Sequence, residues 1–187
     1  MPSVWWLAGH EVALEARVKD ATQAAAVMAI AVVLVGGLSL GRLEHREEVT
    51  GAVMLLAIAF SMILLVGRSF AGEVDRGTME RLLLLPVDRS SLYLSKIAST
   101  FALGLVVVAF SSASFVALFG VGFGPNPWAF VAILIAALLG LCASGACVSA
   151  IAAQSKARES LLPVLMLPLS LPIFLAAVPG AHHALAG

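Results

Sequence analysis

Five long apolar runs without a single Asp, Glu, Lys, Arg or His decide what this chain can fold into: residues 21–41, 49–67, 97–120, 128–153 and 161–178. The hydrocarbon core of a bilayer is about 30 Å thick, and a helix of about 20 apolar residues crosses it. Within lipid each crossing must satisfy its own backbone polar groups, so runs of this length are most economically helices. Apolar residues make up 61% of the 187, well above the roughly 45–50% of soluble domains. The expected fold is an all-α membrane protein, a polytopic bundle of five spans forming one transmembrane domain over residues 1–187. A secretory signal is not the reading of the first run. Residues 1–20, with Trp5, Trp6 and the carboxylates of Glu11, Glu15 and Asp20, precede it, and the run exceeds a signal core of about 7–15 residues.

The basic residues between the runs set an orientation. Arg17 and Lys19 precede the first run, Arg42 and Arg46 follow it, and Arg68, Arg76, Arg81, Arg89 and Lys96 separate the second from the third. Residues 121–127 have none, Lys156 and Arg158 precede the last run, and the tail has none. Five crossings that start inside place all but Arg42 and Arg46 in the cytoplasm, the arrangement the positive-inside rule favours. Those two are outnumbered by Glu44, Glu47 and Glu48. The expectation is an N-terminus in the cytoplasm and a C-terminus outside. Net charge is zero, which implies no nucleic-acid partner.

Several local patterns refine this. In residues 1–20, Leu7, Leu14 and Val18 share a helical sector beside a Glu11, Glu15, Lys19 stripe, so an interfacial helix on the cytoplasmic surface is expected. Gly37 and Gly41 have the spacing that lets membrane helices approach closely. Residues 120–127 are rich in Gly and Pro and read as a tight external turn, with Trp128 as interfacial anchor. Ser111, Ser112, Ser114, Ser144 and Ser149 are able to bond across helices, although such hydroxyls more often return to their own backbone. Cys142 and Cys147 lie about 140° apart on a helix, so they face different ways and do not bridge. Tyr93 reads as an interfacial anchor. His182 and His183, in the expected external tail, are weak candidates for metal ligation; no other metal site is expected.

Pro163, Pro168 and Pro172 in the last run each remove an intrahelical donor and press on the preceding turn. In lipid, interrupted backbone persists only where protein or a wet cavity covers it. Two readings stand: one kinked helix with no transport role, or a bent helix lining the exit half of a pathway.

Residues 68–96 form the largest charged interruption. Glu73, Asp75, Arg76, Gly77, Thr78, Met79, Glu80 and Arg81 alternate in character, and Leu82 to Leu85 follow until Pro86 halts the turn. Asp88 then offers a helix cap, with Ser91 three residues on. A short amphipathic helix around 77–85, held between the ends of two crossings, would serve as a lever. The order Glu-x-x-x-Gly-Thr-Met-Glu-x-Leu-Leu-x-x-Pro from Glu73 to Pro86 resembles the coupling segment of type-2 ABC exporter permeases. Within that superfamily the chain is most similar to the haem exporter protein B family of cytochrome c maturation. The 75–86 stretch, Lys96 at the start of the next run and Met166-Leu-Pro-Leu-Ser-Leu-Pro172 carry this likeness, which extends from about Arg17 to Val178. That family usually has six spans, where this chain shows five runs; either the C-terminal helix is absent or the proline-rich run is split.

The resemblance implies a multi-pass permease of a bacterial-type cytoplasmic (inner) membrane that pairs with a second copy of itself and binds two copies of a separate ABC ATPase. It further implies a haem-handling membrane subunit and a periplasmic haem chaperone as partners. Glu73, Asp75, Gly77, Thr78, Glu80 and Arg81 would contact the ATPase, while Leu82 and Leu83 seat the coupling helix. The subunit itself would be no enzyme, would hold no intrinsic cofactor and would have haem as its possible substrate. A phosphate-cradling Gly-x-x-x-x-Gly-Lys motif does not occur around Lys19, Lys96 or Lys156, so ATP would act through the partner. The alternatives are a drug or lipid-linked exporter of the same superfamily, or a non-translocating scaffold that couples ATP hydrolysis to chaperone release. Ion-coupled secondary transport normally leaves an ionisable residue within a span, and these runs have none. No carboxylate pair or nucleophile–base set stands in a span to support intrinsic catalysis.

Overall fold

The computed structural model describes residues 19–40, 46–75, 89–120, 124–152, 155 and 158–186. These form five helices: α1 (Lys19–Leu40), α2 (Arg46–Asp75), α3 (Arg89–Phe119), α4 (Pro127–Ala152) and α5 (Arg158–Ala186). Each contains a stretch long and apolar enough to cross a membrane, and no strand occurs among the described residues. The interfacial helix expected within residues 1–20 falls almost wholly outside the described residues.

Helix α2 is the hub. It packs against α1, α3, α4 and α5, which follow one another around it as an arc through α1–α3, α3–α4 and α4–α5 contacts. Its apolar stretch is 61% buried, whereas those of α1 and α5 are only 22% buried. The core therefore gathers on α2 through Met54, Leu55, Ile58, Met62 and Leu65, which meet Phe115 of α3, Phe130 and Leu138 of α4 and Met166 of α5. Small residues let the helices close in on the hub. A Cβ on Gly36 would collide with the Val53 side chain, so α1 and α2 approach closely at Gly36; of the expected Gly37–Gly41 pair, Gly41 lies outside the described residues.

Two helices outrun the apolar runs that mark them. The apolar stretch of α2 ends at Gly67 but the helix continues to Asp75, and α3 begins at Arg89, ahead of its apolar stretch at Tyr93. The last helix is also longer than its sequence suggests. It runs without interruption through Pro163, Pro168, Pro172 and Pro179, so the proline-rich run is one helix and is not split. Tertiary packing overrides the local helix-breaking tendency here: beyond Pro179, Ala181, Ala184 and Leu185 are buried, with Ala181 and Leu185 against Gly51 of α2. His182 and His183 consequently lie in the last turns of α5, not in a tail, with their rings edge to face at 5.6 Å.

The connection between α3 and α4 is the turn expected from its glycines. Gly120 and Gly124 adopt φ of 62° and 69°, a backbone region that side chains with a Cβ disfavour. Asn126 then starts α4: its carbonyl accepts the first helical bond from the Phe130 N–H at 3.2 Å, and Pro127 fills the first helical position. Trp128 is almost fully exposed, as an interfacial anchor requires. Serine hydroxyls return to their own helices: Ser111 to Val107 at 2.6 Å, Ser144 to Leu141 at 3.1 Å and Ser149 to Ala146 at 2.9 Å.

Candidate functional site

The alternating helix directions bring the start of α1, the end of α2, the start of α3, the end of α4 and the start of α5 to one face of the bundle. Arg46, Glu47 and Glu48 open α2 on the opposite face, whereas Lys19, Asp20, Arg68, Glu73, Asp75, Arg89, Lys96, Arg158 and Glu159 stand at or near the helix ends of this one. Residues 76–88, the core of the expected coupling motif, join two helices that open on it.

Of the motif residues, Glu73 and Asp75 stand in the final turn of α2. Gly77, Thr78, Glu80, Arg81, Leu82 and Leu83 lie outside the described residues, as does the short helix expected around 77–85. What the structure adds is their mounting. The α2 extension from Arg68 to Asp75 adds about two helical turns, or about 12 Å, between the apolar stretch and the motif. The motif is thus attached directly to the one helix that touches all four others.

Inside this face α3 carries a buried polar group. Ser95, Lys96, Ser99 and Thr100 are all buried, with Lys96 only 6% exposed. The Ser99 hydroxyl donates to the Lys96 carbonyl at 3.0 Å. Tyr93 precedes them and does not simply sit in the headgroup layer. Its hydroxyl lies 3.0 Å from the Ala143 carbonyl oxygen and 3.0 Å from the Cys147 Sγ, both on α4. Sequence reasoning missed this contact because nothing in the spacing of Tyr93 and Cys147, 54 residues apart, pairs them. Cys142 is buried and Cys147 exposed, on different sides of α4.

The prolines expected to line a pathway separate by exposure. Pro163 is half-buried, whereas Pro168 and Pro172 are exposed on the outside of α5. They share that outer face with Val164, Leu167, Leu171 and Leu175. Each proline leaves the carbonyl four residues earlier without its helical donor. The opposite face of the bundle holds the α3–α4 turn, and there the Asn126 N–H donates to the Ala184 carbonyl at 3.4 Å. His182 and His183 lie towards this face, and no cluster of three or more metal-ligating side chains occurs among the described residues.

No curated protein matches the chain, and no solved structure does. The profile of one family, the CcmB protein family, matches residues 3–186, nearly the whole sequence. The five helices long and apolar enough to cross a membrane accord with a multi-pass membrane protein. This multi-pass membrane protein therefore belongs to the CcmB family, the haem-export permease component of cytochrome c maturation.

Proposed function

We propose that the chain is the membrane subunit of an ATP-driven exporter, with a separate ABC ATPase docking on the segment between α2 and α3. The observation that carries this reading is the mounting of that segment. A body pressing on residues 76–88 acts on the ends of α2 and α3 at once, and α2 contacts every other helix of the bundle. Force that reaches α2 is passed to the whole bundle, since α2 packs against the four other helices.

In this reading Glu73, Asp75, Gly77, Thr78, Glu80 and Arg81 meet the ATPase, and Leu82 and Leu83 seat the coupling helix. The charged face is cytoplasmic, since the positive-inside rule assigns Arg68, Arg76, Arg81, Arg89 and Lys96 to that side. The membrane is a bacterial-type inner membrane, and the N-terminus is cytoplasmic. Two ATPase copies serve two copies of this chain. The exposed face of α5 with Pro168 and Pro172 lies between the copies, because carbonyls released by proline are costly against lipid and need protein or water beside them. Haem is the substrate delivered, with a haem-handling membrane subunit and a periplasmic chaperone receiving it.

The test is genetic complementation. Cells lacking the chain are expected to lose covalently attached haem from their c-type cytochromes while b-type haem proteins persist, and the intact chain restores them. Normal c-type cytochromes in the deletion strain would reject haem as the cargo and favour a drug or lipid-linked substrate.

A further inference from the structure

We propose that Tyr93 is a positioning residue for coupling: its hydroxyl clasps α4, so that a displacement of the 76–88 segment moves α3 and α4 as one unit. The inference rests on the docking reading above and adds the route by which motion leaves the docking site.

Tyr93 lies one turn into α3, immediately after the segment, and its phenol reaches 3.0 Å from the Ala143 carbonyl and 3.0 Å from Cys147 Sγ. The phenol has one proton to donate. With that proton on the Ala143 oxygen, the Cys147 S–H is left to donate to the phenol oxygen, which joins three groups in a short chain. Ala143 and Cys147 are four residues apart, so they share one face of α4 and present both contacts to the same ring. The hydroxyls of Ser99, Ser111, Ser144 and Ser149 each stay on their own helix, whereas that of Tyr93 crosses to another.

Geometry makes this contact suited to transmission. At Gly104 against Leu138, α3 meets α4 through an apolar contact, which has no directional preference to oppose sliding. Hydrogen bonds of defined direction resist sliding. Placed next to the docking segment, the clasp fixes the register of the two helices where force enters.

The experiment uses the full complex in lipid vesicles, with Cys142→Ala leaving Cys147 as the single thiol of a chain that has two. Alkylation of Cys147 by N-ethylmaleimide is timed with and without ATP and vanadate to trap the ATPase, and output per ATP is measured alongside. With Tyr93 intact, trapping is expected to change the alkylation rate by at least about threefold, the worth of one intramembrane hydrogen bond. Tyr93→Phe keeps the ring and removes the hydroxyl. It is expected to raise the resting alkylation rate, to abolish the response to nucleotide and to lower output per ATP roughly three- to tenfold. The role of Tyr93 is overturned if Cys147 reacts equally with and without nucleotide in the Tyr93 protein, or if Tyr93→Phe leaves reactivity and output per ATP unchanged. Absence of any ATPase from the purified complex overturns the docking reading, and the role of Tyr93 with it.

Discussion

Gly124→Ala is expected to destabilise the bundle by about 2–5 kcal/mol, through two costs that add at one site. The first is conformational. Gly124 has φ of 69°, and a side chain with a Cβ costs about 1–2 kcal/mol in that region. The second is steric. A Cβ there would lie 2.6 Å from both the Cα and the carbonyl oxygen of Leu185 and 3.0 Å from the Ala184 oxygen. These are backbone atoms of α5 and cannot rotate aside, so the turn and the helix must part, at an overpacking cost of about 1–3 kcal/mol. Separation would also break the Asn126 to Ala184 hydrogen bond and lift Leu185 from Gly51 of α2. Gly120 supplies the control. Its φ of 62° is similar, but a Cβ there meets nothing within 4 Å, so Gly120→Ala incurs only the conformational cost. Thermal unfolding in detergent is expected to show a midpoint drop on the order of 5–10 °C for Gly124→Ala and a clearly smaller one for Gly120→Ala. Equal shifts would mean that the end of α5 is not seated on the turn.

Gly77→Pro or Glu80→Lys is expected to lower coupled output more than tenfold while insertion and folding of the five helices persist. Both positions lie between α2 and α3, outside every membrane-spanning stretch. Proline at 77 forces the preceding residue away from helical geometry, just past the end of α2 at Asp75. That changes the direction in which the motif leaves its rigid mount. Glu80→Lys instead reverses a charge in the proposed contact, and losing a buried interfacial charge pair costs about 2–5 kcal/mol. The two variants thus fail differently. Gly77→Pro keeps the charged contact residues and misaims them, so partner binding falls less than output, whereas Glu80→Lys releases the partner. Co-purification of the ATPase and haem output, measured together, separate the two effects. Full coupled output in both variants would remove the segment from the mechanism.

The parts of this architecture that depend on composition were legible in the sequence, and those that depend on neighbours were not. Runs such as 49–67 announce a crossing because the bilayer acts on each residue independently. Where a helix stops is a tertiary matter. The last apolar run ends at residue 178, yet α5 continues because Ala181 and Leu185 find Gly51 of α2 to pack against. The contact of Gly36 with Val53 is set by helix rotation, which no spacing pattern contains. In the candidate site, the motif from Glu73 to Pro86 was visible as an order of residues, and the structure contributes its attachment to the hub helix. Tyr93 looked like a surface anchor because an aromatic near a membrane edge usually is one. Its bonds to Ala143 and Cys147 exist only once α3 and α4 are side by side.

In the proposed function residues 76–88 face the cytoplasm and bear an ATPase. A single thiol placed by Glu80→Cys, with Cys142→Ala and Cys147→Ala removing the native pair, measures both parts at once through its reaction with a membrane-impermeant maleimide. Labelling is expected in inverted membrane vesicles, to be suppressed when the ATPase subunit is bound, and to be absent from the outside of intact cells. Labelling from outside intact cells, or equal labelling of inverted vesicles with and without the ATPase, would contradict it.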